Sequence, residues 1–161
     1  MKEFLDLMRN LVGLILIFWI LFNFVIGVET VQADDMKPGL RAGDTVIFYR
    51  IDKQPSVREI IILKKDDMEY IGRVVAAAGD KVEINEDSCF MVNDSIVSEE
   101  DVYGSTPAYE GYTDYPLVLS DDEYFVLCDR RGGGIDSRFY GPVRSEEIIG
   151  TVIGRYRKGS V

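Results

Sequence analysis

The most regular stretch of the chain is an apolar run near its N-terminus. From Leu11 to Val28 it reads LVGLILIFWILFNFVIGV, with Asn23 the only polar side chain. About 18 such residues at ~1.5 Å rise approach the ~30 Å hydrocarbon thickness of a bilayer, so the run predicts a transmembrane helix over 11–28. A cleaved secretory signal ending at Val31-Gln32-Ala33 fits the same pattern, but the run exceeds the usual length of such an apolar core. Lys2 and Arg9 precede it and favour a cytoplasmic N-terminus over 1–10, with residues 29–161 extracellular.

After residue 30 the pattern changes to short apolar runs bounded by Gly, Pro, Asn and Asp. These are Thr45–Tyr49, Glu59–Leu63, Tyr70–Ala78, Lys81–Ile84, Cys89–Val92, Leu117–Leu119, Tyr124–Cys128 and Gly150–Tyr156. Their length and spacing predict β-strands, with tight turns at Gly43-Asp44, Gly79-Asp80 and Asn93-Asp94. No amphipathic helix longer than one or two turns is expected, so the fold class is all-β: an antiparallel ectodomain behind one N-terminal helix. Between about 99 and 123 the periodicity fails and Tyr103, Tyr109, Tyr112 and Tyr115 accumulate. That excursion reads either as a solvated loop pinned by its aromatics or as a partner patch.

Composition narrows the chemistry. The chain has 161 residues, 47% apolar and 29% charged, enough for one cored domain. Eighteen Lys and Arg against 28 Asp and Glu leave a net charge of −10, which repels phosphate and argues against nucleic acid. There is no histidine, so Ser-His-Asp and Cys-His catalysis, an imidazole base and His-ligated zinc are all excluded. Cys89 and Cys128 are too few for a four-thiolate metal site, and two free thiols are expected. No cofactor and no metal are implied. Gly132–Gly134 precede a turn, not a helix N-terminus, and do not suggest a phosphate cradle.

Four segments, taken in order, carry a resemblance. Asp35-Met36-Lys37-Pro38-Gly39-Leu40, followed by Gly43-Asp44, resembles the first catalytic box of type I signal peptidases, a Ser-Met-x-Pro-Thr-Leu run before a Gly-Asp turn. Arg58–Leu63 resembles that family's Gly-Asp-Ile-Val-Val strand, and Tyr70–Val82 its Lys-Arg-Val box. Cys128–Gly141 is similar to its Gly-Asp-Asn-Arg box ending in Ser-x-Asp-Ser-Arg. In such enzymes a serine attacks the scissile carbonyl and a neutral lysine takes its proton, a pairing that needs no histidine.

Both members of that pair are replaced here. Asp35 stands at the serine position and has no hydroxyl proton to surrender, and Gly72 stands at the lysine position. Gly134 replaces the serine that helps orient the lysine, and Gly39 replaces the threonine of the first box. Asp129, Asp136, Ser137 and Arg138 match the pattern and read as a structural box, Asp136 and Arg138 as an ion pair shaping the loop. The resemblance therefore implies a pseudoenzyme, similar to the SipA-type pilus-assembly factors of Gram-positive bacteria that act with a class C sortase on pilin subunits. Its function would be that of a membrane-anchored chaperone or docking factor. A groove for an extended partner would be walled by Val31, Gln32, Ala33, Asp34, Asp35 and Met36 on one side and Tyr70, Ile71, Gly72, Arg73 and Val74 on the other.

The competing expectation is an active peptidase whose dyad has moved to other residues, drawn from Ser56, Ser137, Lys37, Lys64, Lys65 and Lys81. An aspartic pair from Asp34 and Asp35 is disfavoured, because strand neighbours point to opposite faces. A decoy that sequesters peptidase substrates would use the same groove.

Overall fold

The computed structural model describes residues 2–97, 102 and 105–157. Helix α1 (Lys2–Ile20) continues into a single π-type turn over Leu21–Val25, and then the chain straightens. No residue of α1 is buried, and Leu14, Phe18 and Trp19 are each more than half exposed. From Leu11 onward the helix is apolar on every side and covered by no part of the described protein, which suits an apolar phase such as a bilayer. The span Lys2–Val25 is long and apolar enough to cross a membrane.

The apolar run does not stay helical to Val28. Residues 26–28 belong to β1 (Ile26–Thr30), which pairs with β2 (Thr45–Tyr49) in the register Gly27↔Phe48 and Val28↔Ile47. The helical boundary predicted at Val28 therefore moves back to Val25. The cause is local: the Phe48 ring lies directly over Gly27, where an added Cβ would sit 2.1 Å from it. Only glycine allows that approach, and the β-branched Ile26 and Val28 suit a strand.

The remaining strands follow in chain order: β3 (Ile60–Lys65), β4 (Met68–Ala76), β5 (Lys81–Ile84), β6 (Phe90–Val92), β7 (Ser95–Ile96), β8 (Leu117–Val118), β9 (Glu123–Leu127), β10 (Val143–Arg144) and β11 (Ile148–Tyr156). A four-residue helix α2 (Ser137–Tyr140) separates β9 from β10. The strands form a seven-stranded sheet in the order β1-β2-β11-β3-β4-β9-β10 and a four-stranded sheet in the order β7-β6-β5-β8. Every pairing is antiparallel. The all-β expectation holds; β1, β7 and β10 are additions to the predicted set.

Turn chemistry fixes the registers. Asp66-Asp67 and Asn93-Asp94, both with positive φ at each residue, close the β3–β4 and β6–β7 hairpins as two-residue turns whose twist suits the strands. Phe90, Phe125, Leu127 and Val82 form the core between the two sheets. A second cluster, built on Met36, Leu40, Phe48, Ile62 and Cys128, lies under the segment that joins β1 to β2. Cys89 and Cys128 are both free thiols.

Candidate functional site

The segment 31–44 is a closed loop. Val31 N–H donates to the Asp44 carbonyl and Gly43 N–H to the Val31 carbonyl, both at 2.9 Å, so the loop leaves and re-enters the sheet at one point. Its middle is a turn, not a strand. Asp34 turns outward, pairing with Lys37 at 2.7 Å and accepting the Ala42 N–H at 3.0 Å. The Lys37 hydrogen bond and the Ala42 amide hold its carboxyl below the usual range. Asp35 turns inward, and its carbonyl accepts the Arg130 N–H at 2.8 Å, which joins this loop to the one following β9. The two aspartates thus face apart, on a turn instead of the strand the sequence suggested.

A latch at the loop's far end makes its rigidity dependent on pH. Asp44 is buried and takes both arms of Arg157, at 2.6–3.1 Å. The Arg157 guanidinium holds the Asp44 carboxyl down to about 2. A lowered carboxyl stabilises the fold fully above its unfolded range near pH 4 and loses that contribution as pH falls toward 2. The stability gap between wild type and Asp44→Asn should therefore be constant from pH 7 to pH 5 and shrink between pH 4 and 2 in urea unfolding. A gap that is flat across that window would disprove the latch.

The second loop, 128–136, is fastened by charge. Arg73 grips Asp129 with two hydrogen bonds, 2.7 and 2.6 Å. Arg138, fully buried, grips Asp136 with two at 2.9 Å. Asp136 caps α2 through the Arg138 N–H and accepts the Cys128 N–H at 3.1 Å. Ser137 Oγ accepts the Val126 N–H at 2.9 Å. Asp129, Asp136, Ser137 and Arg138 all take part in hydrogen bonds that tie this loop together. The Tyr-rich excursion braces them from outside: Tyr109 stacks on Phe139 at 4.2 Å, Thr113 Oγ1 donates to the Ser137 carbonyl, and Arg131 donates to Thr106. Tyr112 touches the Phe139 edge but is 60% exposed. Tyr103 lies outside the described residues.

Asp35, Gly134 and Cys128 meet where the two loops touch. A Cβ on Gly134 would sit 2.8 Å from Cys128 Sγ and 3.0 Å from Asp35 Cβ and Cγ, and Gly134 has φ of +92°. The Cys128 thiol is pushed well up by burial, with Asp136 and Asp35 adding to the effect. Burial of this kind makes a thiol harder to deprotonate and so less reactive. Gly72 pairs with Ile61 of β3, and a Cβ there would meet Val126 Cγ1 at 2.5 Å. The space at that position is filled by a neighbour's methyl group.

Beside this junction lies a cavity of about 140 Å³. Of the residues expected to wall a groove, Val31, Gln32, Ala33, Asp35, Met36, Tyr70 and Ile71 line it. Asp34 does not, because it faces Lys37. Gly72, Arg73 and Val74 do not either: Gly72 and Val74 are buried, and Arg73 is turned to Asp129. Glu29, Thr30, Ile62, Glu69, Cys128 and Ile135 also line it, and no local pattern singles them out. Ile62 arrives through its pairing with Ile71.

The profile of the family described as "Signal peptidase, peptidase S26" matches residues 4–157 of this chain. The chain belongs to the signal peptidase S26 family. Among its curated relatives, the Synechocystis protein named "Probable signal peptidase I-2" is 26% identical over 96% of this chain and 74% of its own length. "Thylakoidal processing peptidase 1, chloroplastic" of Arabidopsis thaliana is 33% identical over 80% of this chain, which spans only 41% of that relative. "Signal peptidase I S" of Bacillus subtilis is 25% identical over 93% of this chain and 87% of its own. Membership in S26, together with the apolar helix ahead of the β-domain, marks the chain as a single-pass membrane protein.

Proposed function

We propose that this S26 protein is a non-catalytic member of its family, anchored with its N-terminus in the cytoplasm and its β-domain outside the cell. There it serves as a chaperone or docking factor that presents pilin subunits to a class C sortase. The observation that carries the first half is the trio at the loop junction: a carboxylate at the serine position, lying against a glycine at the position of the orienting serine. A carboxylate is a poor acyl carrier, and no side chain at Gly72 can take a proton. The pilus assignment rests on the resemblance of this substitution pattern to the SipA-type factors.

The groove supports a binding role that needs no chemistry. Strand β1 is an outer strand of its sheet, and β9 pairs with β4 only from Arg73 onward. Among the described residues Met68–Gly72 therefore pair with β3 alone, which leaves an edge beside the cavity for an extended segment to pair with.

The names of the curated relatives favour an active peptidase as the second reading. Such an enzyme would need a serine beside a neutral lysine. Lys37 pairs with Asp34, Lys64 with Asp67, Lys81 with Asp94 and Lys65 with Glu147. Lys53, whose burial lowers its affinity for a proton, donates to the carbonyls of Ile148 and Ile149. Among the described residues none of these ammonium groups hydrogen-bonds a serine hydroxyl.

Two measurements test the proposal. Photoreactive residues at Asp34 and Tyr112 in intact cells are expected to capture pilin, and capture at neither position would count against a chaperone. Full-length protein in detergent is expected to leave a signal-peptide substrate uncut, and turnover that survives substitution of Asp35 would establish the second reading.

A further inference from the structure

We propose that the groove is selective for a segment bearing a lysine or arginine side chain, whose stem lies in the 140 Å³ cavity and whose charge meets Asp35, Glu29 and Glu69. This rests on the reading of the groove as a peptide-binding site and adds what that peptide must carry. The floor is apolar: Met36, Ile62 and Cys128 are almost completely buried, with Ile71 and Ile135 beside them. A cavity of roughly 150 Å³ accommodates a benzene-sized apolar group, so this one takes a single long side chain.

The rim supplies the charge. Glu29 and Asp35 come from one wall and Glu69 from the other, and no Lys or Arg lines the cavity. Among the described residues none of the three carboxylates forms an ion pair. Lys64 stands opposite Glu69 across β3 and β4 but pairs with Asp67, and Lys37 is held by Asp34. Aliphatic stem below and ammonium or guanidinium above is how long cationic side chains divide their own surface. A net charge of −10 draws such a segment in and disfavours acidic competitors.

The test uses full-length protein in detergent micelles and fluorescent heptapeptides Ac-Val-Ala-Val-X-Val-Ala-Val-NH2, with X lysine, norleucine, alanine or glutamate. Lysine is expected to bind at least tenfold tighter than norleucine and more than a hundredfold tighter than glutamate. The advantage over norleucine should fall to less than threefold in Asp35→Asn/Glu69→Gln and shrink in 0.5 M salt. Among the described residues neither the Asp35 nor the Glu69 side chain forms a hydrogen bond or an ion pair. Binding of norleucine or alanine as tight as lysine would overturn the cation inference while leaving a peptide groove in place. If no peptide of the series binds, both the inference and the groove reading fail.

Discussion

Replacing Arg138 by alanine is expected to cost about 3–5 kcal/mol of folding stability, the range for breaking a buried ion pair by removing one partner. Arg138 is completely buried, bonds both oxygens of Asp136, and donates to the carbonyls of Arg131 and Pro107 at 2.9 and 3.3 Å. Its guanidinium also lies 4.8 Å from the centre of the Tyr109 ring. One truncation thus leaves a carboxylate uncompensated, takes one donor from each of two carbonyls and removes the cation beside an aromatic ring. Against a total stability of about 5–15 kcal/mol the loss is large. Asp136→Ala is expected to cost a similar amount, because it strands the guanidinium and removes the acceptor for the Cys128 and Arg138 amides. The double variant should lose clearly less than the sum, since the pair's two halves are counted twice in the singles. Urea unfolding read by near-UV circular dichroism of the tyrosines is the suitable measurement: the single tryptophan, Trp19, lies in the exposed N-terminal helix and does not report on the β-domain. Additive singles would show that Asp136 and Arg138 act independently.

The same residues show what a sequence can and cannot disclose. The strand pattern was legible because most strands bury one face or both, and their apolar runs end at residues suited to turns. β1 was not, because Ile26–Val28 complete an apolar run and nothing local separates the last turn of a membrane helix from the first residues of a strand. The separation comes from Phe48, 21 positions on, whose ring requires Gly27. β10 and α2 are too short to have a period at all; hydrogen bonds to Asp136 and Asp122 define that region. At the site, Asp35, Met36 and Ile71 could be found by motif, since they stand beside recognisable box residues. Ile62 and Ile135 could not, because their place in the groove depends on strand pairing and on loop 128–136 folding back. Gly72 was placed correctly in its strand, but the sequence did not tell that Val126 would occupy the space beside it.

Gly134→Ser, which places the residue type expected at that position of the box, should destabilise the protein by about 2–6 kcal/mol. Part is backbone strain, about 1–3 kcal/mol for a non-glycine residue held in a sparsely populated conformation such as φ +92°. Part is overpacking of about 1–3 kcal/mol, because the new Cβ would stand 2.8 Å from Cys128 Sγ and 3.0 Å from the Asp35 side chain. Those two contacts are separable from the strain. Cys128→Gly removes the sulfur and Asp35→Gly removes both contacting carbons, so each should recover about 1 kcal/mol of the Gly134→Ser cost in a double-mutant cycle. The backbone share should persist in every combination. Coupling of that sign would mean that Asp35, Cys128 and Gly134 are fitted to one another. Gly72→Lys carries a separate penalty against Val126 and should not couple to the trio, since its nearest contacts are Val126 and Leu127. The cycle is read by urea unfolding, and the quadruple variant Asp35→Ser/Gly72→Lys/Cys128→Gly/Gly134→Ser by signal-peptide cleavage. Cleavage above background in that variant, with none in any single, is the expected outcome; cleavage by Asp35→Ser alone would show that the rest of the catalytic set was never lost.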